Sequence, residues 1–341
     1  MSLTTCTIHV TPRQERVVYV SGDLAKALKL AKAQNVTLKL GSKSVSLRLK
    51  LLKKSGNHLY MTPSVYTQLR LPRDGTTMIT SANGKELRLG PMIGILTNIV
   101  RGSSAPFGSR TEFIRQFMRV GADRAFYFGF SPNDVNWSQG TVSATIPLKE
   151  GGWARKTVPL PDVVYNRLPS RKAEKLASMN AFKQRFVRQG IPLFNWSFFD
   201  KWDVYNLLEG TDVFNHVPES HINPNAMQIK EMLEKHKFIY LKPTAGSLGI
   251  GIYRLTYNPK RGYYARFRRN GRNVLLRFSK FEGLMALLNR HNGSLHGYVS
   301  QQGIRLIELD SCPIDFRFHM TKNSENQWVV AAIGAKKAGR G

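Results

Sequence analysis

One stretch limits the fold of this chain more than any other. Phe238-Ile239-Tyr240-Leu241-Lys242-Pro243 is an apolar, strand-like run ending in a lysine. A glycine-serine loop follows, Thr244 to Gly249, and then a second strand-like run from Ile250. A lysine just before such a loop sets a fixed positive charge beside backbone N–H groups, and the glycines let that backbone approach an anion closely. The stretch therefore reads either as a phosphate cradle or as a β-turn between two core strands. Two familiar cradles are excluded. Gly246 to Gly251 has the spacing of a P-loop, but Ile252 and Tyr253 stand where Lys and Ser/Thr are required. Gly249-x-Gly251 lacks the third glycine of a dinucleotide fingerprint and opens a strand, so a Rossmann site fits poorly as well.

Charge adds a second constraint. The 341 residues carry 51 Lys+Arg against 22 Asp+Glu, a formal net charge of +29. Self-repulsion of that size calls for a compensating partner: nucleic acid, anionic lipid, an acidic polymer or a nucleotide. The basic residues are spread along the whole length, which argues against a basic tail as the binding element. Cys6 and Cys312 are far apart and lack metal-like spacing, so neither a disulfide framework nor a structural zinc is expected, and a reducing cytoplasmic compartment fits. No signal peptide and no membrane span are expected from the apolar pattern.

Residues 17–50 and 58–90 read as two copies of one unit. Val18-Tyr19-Val20-Ser21 aligns with Leu59-Tyr60-Met61-Thr62, and Ser46 to Lys50 aligns with Glu86 to Gly90. Each copy reads strand, short helix capped near Ser21 or Thr62, then alternating strands. Two copies suit a small pseudo-symmetric β-barrel, and residues 1–90 are expected to form an accessory β domain.

Residues 91–197 follow strand–helix–strand order and are expected to form an α/β domain with a parallel sheet. Met92 to Leu96, Ala125 to Phe130 and Val163 to Tyr165 are its strands, and 137–160 is a hairpin excursion. A capping box of Ser109 with Glu112 is expected to open a helix to Val120, and a second helix is expected over Arg171 to Arg188. Arg167 and Arg171 follow a strand C-terminus, where open α/β sheets bind substrates, and arginine suits carboxylate or phosphate capture. The alternative is that both are solvated surface arginines. In residues 198–341, Asp200 caps a helix, Asn223-Pro224 opens another as N-cap and N1, and Ser279 with Glu282 caps a third. Asn270-Gly271 predicts a tight hairpin. Its arm Tyr263-Tyr264-Ala265-Arg266-Phe267-Arg268-Arg269 interleaves rings and cations, as stacking on bases would require, or as an amphipathic hairpin with inward aromatics would show.

A loop between antiparallel strands with its lysine on the strand before resembles the ATP-grasp superfamily. The order of Pro161-Asp162-Val163-Val164-Tyr165-Asn166-Arg167, Phe199-Asp200-Lys201-Trp202, Leu241-Lys242-Pro243 and Asp315-Phe316-Arg317 is similar to YheC/YheD-like ATP-grasp proteins of bacterial endospore coats, and more loosely to RimK-like ligases. The resemblance implies an α/β fold in which an ATP-grasp domain (198–341) follows a Rossmann-like pre-ATP-grasp domain and the N-terminal barrel-like domain. It implies ATP as cofactor, with Lys201 and Lys242 on its phosphates. The loop with Thr244, Gly246, Ser247 and Gly249 would close over them, and Gln301, Gln302 and Gly303 would form the hinge at adenine. Arg317, oriented by Asp315, would face the γ-phosphate or the reacting carboxylate, and Lys336 would stand near the transferred phosphate. Mg²⁺ is expected of the complete family fold, held by a Glu-x-Asn strand. No such strand precedes Gly341, so the chain is expected to be a truncated protein or an inactive relative.

The implied activity is ATP-dependent carboxylate–amine ligation through an acyl-phosphate, on an acidic small molecule, peptide or anionic polymer. Two other readings stay open: a non-catalytic coat-associated protein, and a nucleic-acid binder using the Arg266–Arg277 hairpin. Location would be cytoplasmic, or spore coat-associated in a sporulating bacterium.

Overall fold

The repeated pattern of the first ninety residues supplies strands whose alternate side chains are apolar, and such strands close on themselves to bury one face. In the structure, a computed structural model that describes residues 2–31, 34–245, 249–323 and 325–339, they do so. The elements are β1 (Ser2–Val10), β2 (Val17–Ser21), α1 (Gly22–Leu28), β3 (Asn35–Leu40), β4 (Lys43–Leu52), β5 (His58–Met61), α2 (Pro63–Leu69), β6 (Thr76–Asn83) and β7 (Glu86–Gly90). They form a closed barrel in the order β1-β5-β2-β4-β3-β7-β6. Val18, Val20, Leu38, Leu40, Leu49, Leu59, Met61, Leu87 and Leu89 fill it.

The repeat is legible in detail. Ser21 Oγ accepts from the Leu24 N–H, and both short helices end on a left-handed residue, Lys29 and Arg70. Thr62 makes no side-chain cap; Pro63, whose missing N–H is no loss at that position, opens the second helix instead. The symmetry is carried by a strand outside the repeat. β4 lies between β2 (parallel) and β3 (antiparallel), and in the other half β1 lies between β5 (parallel) and β6 (antiparallel).

The chain divides into two compact units, Met1–Phe198 and Phe199–Gly341. The first unit continues with β8 (Met92–Leu96), α3 (Thr111–Val120), β9 (Phe126–Phe130), β10 (Val135–Asn136), β11 (Thr141–Pro147), β12 (Trp153–Pro159), β13 (Val163–Asn166), α4 (Arg171–Glu174), α5 (Ala177–Arg188) and β14 (Leu193–Phe194). Strands β9, β8, β13 and β14 are parallel neighbours in that order, and β10, β11 and β12 extend the sheet beyond β9. Asp162 clasps this sheet to the barrel: its carboxylate accepts from Arg88 of β7 and from the Met92 N–H that starts β8, both at 2.8 Å. Burial raises its pKa, against those two contacts.

The Ser109–Glu112 capping box does not form. A 3-10 turn occupies Gly108–Arg110, α3 starts at Thr111 without a side-chain cap, and Glu112 pairs with Arg115 one turn on. The helix expected over Arg171 to Arg188 is two helices, broken after Glu174, whose carboxylate turns inward to accept from Asn166 and from the Phe198 N–H.

The second unit contains α6 (Lys201–Leu208), β15 (Ser220–Ile222), α7 (Ala226–His236), β16 (Phe238–Pro243), β17 (Tyr253–Asn258), β18 (Gly262–Arg269), β19 (Arg272–Phe278), α8 (Phe281–Asn292), β20 (Tyr298–Gln302), β21 (Glu308–Leu309), β22 (Cys312–Lys322) and β23 (Trp328–Lys337). Its main sheet is antiparallel, in the order β15-β20-β16-β17-β18-β19. Alternation sends Ile239, Leu241, Leu255, Ala265 and Phe267 to one face, where Ile229, Met232 and Leu233 of α7 and Leu284, Leu287 and Leu288 of α8 cover them. The opposite face keeps Tyr240, Lys242, Arg254, Thr256, Tyr264 and Arg266 at least partly exposed.

Two start signals fall elsewhere than the sequence suggests. The N-cap of α7 is Asn225, which forms a capping box with Gln228, while Asn223 takes φ 49° and accepts from the Gly297 N–H. No Ser279 cap forms; α8 begins after Lys280 and runs to Asn292. The tight turn at Asn270-Gly271 is as expected, with φ 48° and 76°. A separate ribbon, β21-β22-β23, completes the unit, and both of its long strands are almost wholly exposed.

Candidate functional site

Lys242 is the next-to-last residue of β16, and the strand's alternation places it on the open face beside Tyr240. Its Nζ donates to Gln301 Oε1 on the neighbouring β20 at 2.6 Å, and Gln301 Nε2 donates to Ser220 Oγ on β15 at 3.1 Å. That relay fixes the ammonium with neutral partners only. Burial, and then the charge of Lys201, hold the Lys242 pKa below the ordinary lysine value. A half-buried cation with no carboxylate beside it is unstable in itself and gains most from an incoming anion.

Lys201 arrives from α6. Asp200 caps that helix by accepting from the N–H groups of Trp202 and Asp203, and Asp203 returns the bond to the Asp200 N–H. Lys201 Nζ donates to the Pro243 carbonyl at 2.7 Å, and its N–H reaches the Thr244 carbonyl at 3.3 Å. Thr244 in turn donates its N–H to the Gly297 carbonyl at 2.8 Å. Two ammonium groups thus converge where β16 runs into the glycine loop. Gly249 and Gly251 take φ of 75° and 73°, which side chains on an L-residue disfavour. Gly246 and Ser247 lie outside the described residues.

At the other end of the face, Gln302 donates its N–H to the Glu219 carbonyl at 2.8 Å, and its Oε1 accepts from the Glu219 N–H at 3.2 Å. The Gly303 N–H donates to the Phe238 carbonyl at 3.0 Å. A Cβ at Gly303 would lie 2.1 Å from the Phe238 ring, so only glycine fits. Glu219 is the anchor that sequence reasoning missed. Its carboxylate takes hydrogen bonds from Lys235 (2.6 Å), His236 (2.9 Å) and His221 (3.2 Å), which push its pKa down to about 2. The clue available in the sequence was weak: a lone acid ahead of a helix ending in Lys235-His236.

Arg317 and Lys336 sit on the ribbon. Asp315 is directly opposite Lys336 and Arg317 is opposite Gly334, so Asp315, Arg317 and Lys336 share one ribbon face. Among the described residues no ion pair or hydrogen bond joins Asp315 to Arg317, so Asp315 does not orient it here. Arg167 and Arg171 belong to the first unit. The Arg167 guanidinium lies over Phe113 (5.1 Å) and Tyr165 (5.6 Å), and that of Arg171 over Phe198 (4.7 Å). The structure therefore brings Lys201, Lys242, Thr244 and Gln301 together, sets Gln302 and Gly303 beside Glu219 and Phe238, and puts Arg317 and Lys336 on another sheet. The acidic side chains a Mg²⁺ site needs are not gathered among the described residues.

The hairpin β18–β19 turns Tyr263 and Phe267 into the core and leaves Arg266, Arg268 and Arg269 outside. It is an amphipathic hairpin and presents no row of free rings for stacking.

Residues 190–341 match a family model described as YheC/D like ATP-grasp. The chain is 32% identical over 285 residues to the endospore coat-associated protein YheD of Bacillus subtilis (strain 168), covering 82% of this chain and 62% of that one. It is 26% identical over 222 residues to YheC of the same organism, covering 61% and 58%. The chain thus spans less than two thirds of either relative. Among solved structures, D-alanyl-alanine synthetase A from Vibrio cholerae aligns with 14% identity over 74% of this chain and 68% of that one, TM-score 0.39. The ATP-grasp ligase PsnB, complexed with a precursor variant, Mg and ADP, aligns with 11% identity over 72% and 88%, TM-score 0.35. No helix among the described residues is long and apolar enough to cross a membrane. By these matches, residues 190–341 are similar to the YheC/D-like ATP-grasp family.

Proposed function

We propose that the second unit binds ATP along the open face of its main sheet, and that the protein is the nucleotide-binding part of an ATP-dependent carboxylate–amine ligase. The observation that carries this reading is the convergence of Lys201 and Lys242 at the glycine loop, with Lys242 half-buried and bonded to an amide oxygen. The phosphates would lie between the two ammonium groups, at the end of β16. The adenine would lie toward Phe238 and the hinge. Because the N–H groups of Gln302 and Gly303 are already engaged within the protein, contacts to the ring fall to carbonyl groups and to the chain from Ile304 onward.

In the ligation, a substrate carboxylate oxygen attacks the γ-phosphorus, the bond to ADP breaks, and an acyl-phosphate forms. An amine then attacks the acyl carbon, phosphate leaves, and the nitrogen loses a proton. Lys201 and Lys242 hold the non-reacting phosphates, and Arg317 and Lys336 supply positive charge from the ribbon toward the developing negative charge. Arg167 and Arg171 are assigned to the acidic substrate, a small molecule, peptide or anionic polymer. Association with an endospore coat, named for the relatives, is proposed for this chain on that likeness alone.

The test is calorimetric titration with ATP and Mg²⁺, followed by phosphate release in the presence of candidate carboxylates and amines. Saturable binding that Lys242→Met weakens supports the nucleotide site. Binding without carboxylate-dependent turnover would favour a non-catalytic coat protein over a ligase, and no binding would remove both readings.

A further inference from the structure

The open face of the main sheet carries a second cationic feature, on the two strands next to the one that bears Lys242. Arg254 of β17 and Arg266 of β18 are directly opposite one another in the ladder, on the face that bears Tyr240 and Lys242. Opposed residues in an antiparallel pair have Cβ atoms only about 4.5–5.5 Å apart, and like charges at that separation are destabilising. Neither guanidinium makes an ion pair among the described residues; the ion pairs found in this unit join Glu219 to Lys235 and two histidines, and Asp310 to Lys337. Arg254 Nε is buried without a hydrogen-bond partner. Its guanidinium carbon lies over Phe238, 4.7 Å from the ring centre, and Phe238 is itself wedged against Gly303. Arg254 is therefore positioned by packing on Phe238, next to a second guanidinium it repels.

We propose that Arg254 and Arg266 form a two-guanidinium site for a multiply charged oxyanion, carboxylate- or phosphate-borne, distinct from the Lys201–Lys242 site. An anion between the forks would reverse the repulsion and accept N–H bonds from the outer nitrogens of both arginines. Tyr264, next to Arg266 on the same face and opposite Thr256, borders the site, and Arg277 stands opposite Tyr264. Three arginines on one face, Arg254, Arg266 and Arg277 (whose Nε donates to the Arg261 carbonyl), suit a ligand with more than one acidic group over a lone ion. Placement on the sheet alone supports this inference, and it does not depend on nucleotide binding.

Thermal melts and calorimetry with inorganic phosphate and with succinate test it. They are run on the wild type, on Lys242→Met to silence the lysine site, and on Arg254→Gln and Arg266→Gln in both backgrounds. Lys242→Met is expected to keep at least one of the two anion responses, and each arginine substitution to weaken it tenfold or more. Phosphate active and succinate inert assigns the site to phosphate-borne anions; the reverse assigns it to carboxylates. Without any anion, Arg266→Gln is expected to raise the melting temperature by about 1–3 °C, since it removes like-charge opposition. An anion response that vanishes in Lys242→Met but survives both arginine substitutions would overturn the proposal. So would an Arg266→Gln variant that folds and binds both anions as the wild type does, or that melts several degrees lower, which would make the pair structural.

Discussion

Replacing Lys242 by Met is the perturbation with the clearest expected consequences. Its ammonium donates a 2.6 Å hydrogen bond to a neutral amide, and its pKa is lowered by burial and by Lys201. A hydrogen bond to a charged group contributes about 1.5–3 kcal/mol, so losing a lysine–phosphate contact should weaken ATP binding by roughly 10- to 150-fold. Stability should move the other way. For a lysine whose folded pKa lies below its unfolded value, the native state is penalised at pH values below the folded pKa, and the penalty fades as pH rises through that value toward 10.5. The Met variant removes the penalty, so at neutral pH its unfolding free energy should be unchanged or higher by up to about 1 kcal/mol. The same linkage predicts proton uptake when phosphate restores the charge. Calorimetry at mildly alkaline pH in buffers of different ionisation enthalpy should show a fraction of a proton bound by the wild type and less by the variant. A folded Lys242→Met protein that binds ATP within twofold of wild type, with the same proton uptake, would refute the reasoning.

Three further outcomes follow from the geometry. Gly303→Ala must push a methyl into the Phe238 ring, 2.1 Å away, and should destabilise the second unit by about 1–3 kcal/mol in denaturant unfolding. Glu219→Gln should flatten the acid limb of stability: the depressed Glu219 pKa gives stability that is complete above about pH 4.5 and lost as pH falls toward about 2, so wild type and variant should converge at the acidic end of a chemical-denaturation series. The Cys6 thiol, raised to about 11 by burial against an opposing bond with Thr80, should resist thiol reagents at pH 8 until the barrel is unfolded.

Much of this architecture could be read locally. Asn270-Gly271 demands a tight turn, Asp200 stands before a helix with Asp203 at the matching position, and the two copies of strand–helix–strand–strand announce a closed sheet. What escaped the sequence was non-local or competitive. The place of β1 between β5 and β6 depends on pairings some fifty and seventy residues away. Asn225 prevails over Asn223-Pro224 because Asn223 is taken by Gly297, and Ser109 loses its cap to a 3-10 turn at the same residues. Within the site, Lys242 was visible as a lysine before a glycine loop and Lys201 only through the family resemblance, while the Gln301–Ser220 relay and the Glu219 clamp are products of cross-strand register. The opposition of Arg254 and Arg266 is of the same kind, since no spacing within one strand reveals which residue faces which.

The central claim, that ATP lies on the open face with its phosphates between Lys201 and Lys242, is tested most directly by a crystal structure with a non-hydrolysable ATP analogue. The account predicts the triphosphate within hydrogen-bond reach of both Nζ atoms, the Lys242–Gln301 bond broken or lengthened, and the base beside Phe238 and Gly303. A nucleotide bound elsewhere on the chain, or bound here with Lys242 still turned to Gln301 and no phosphate contact, would contradict it.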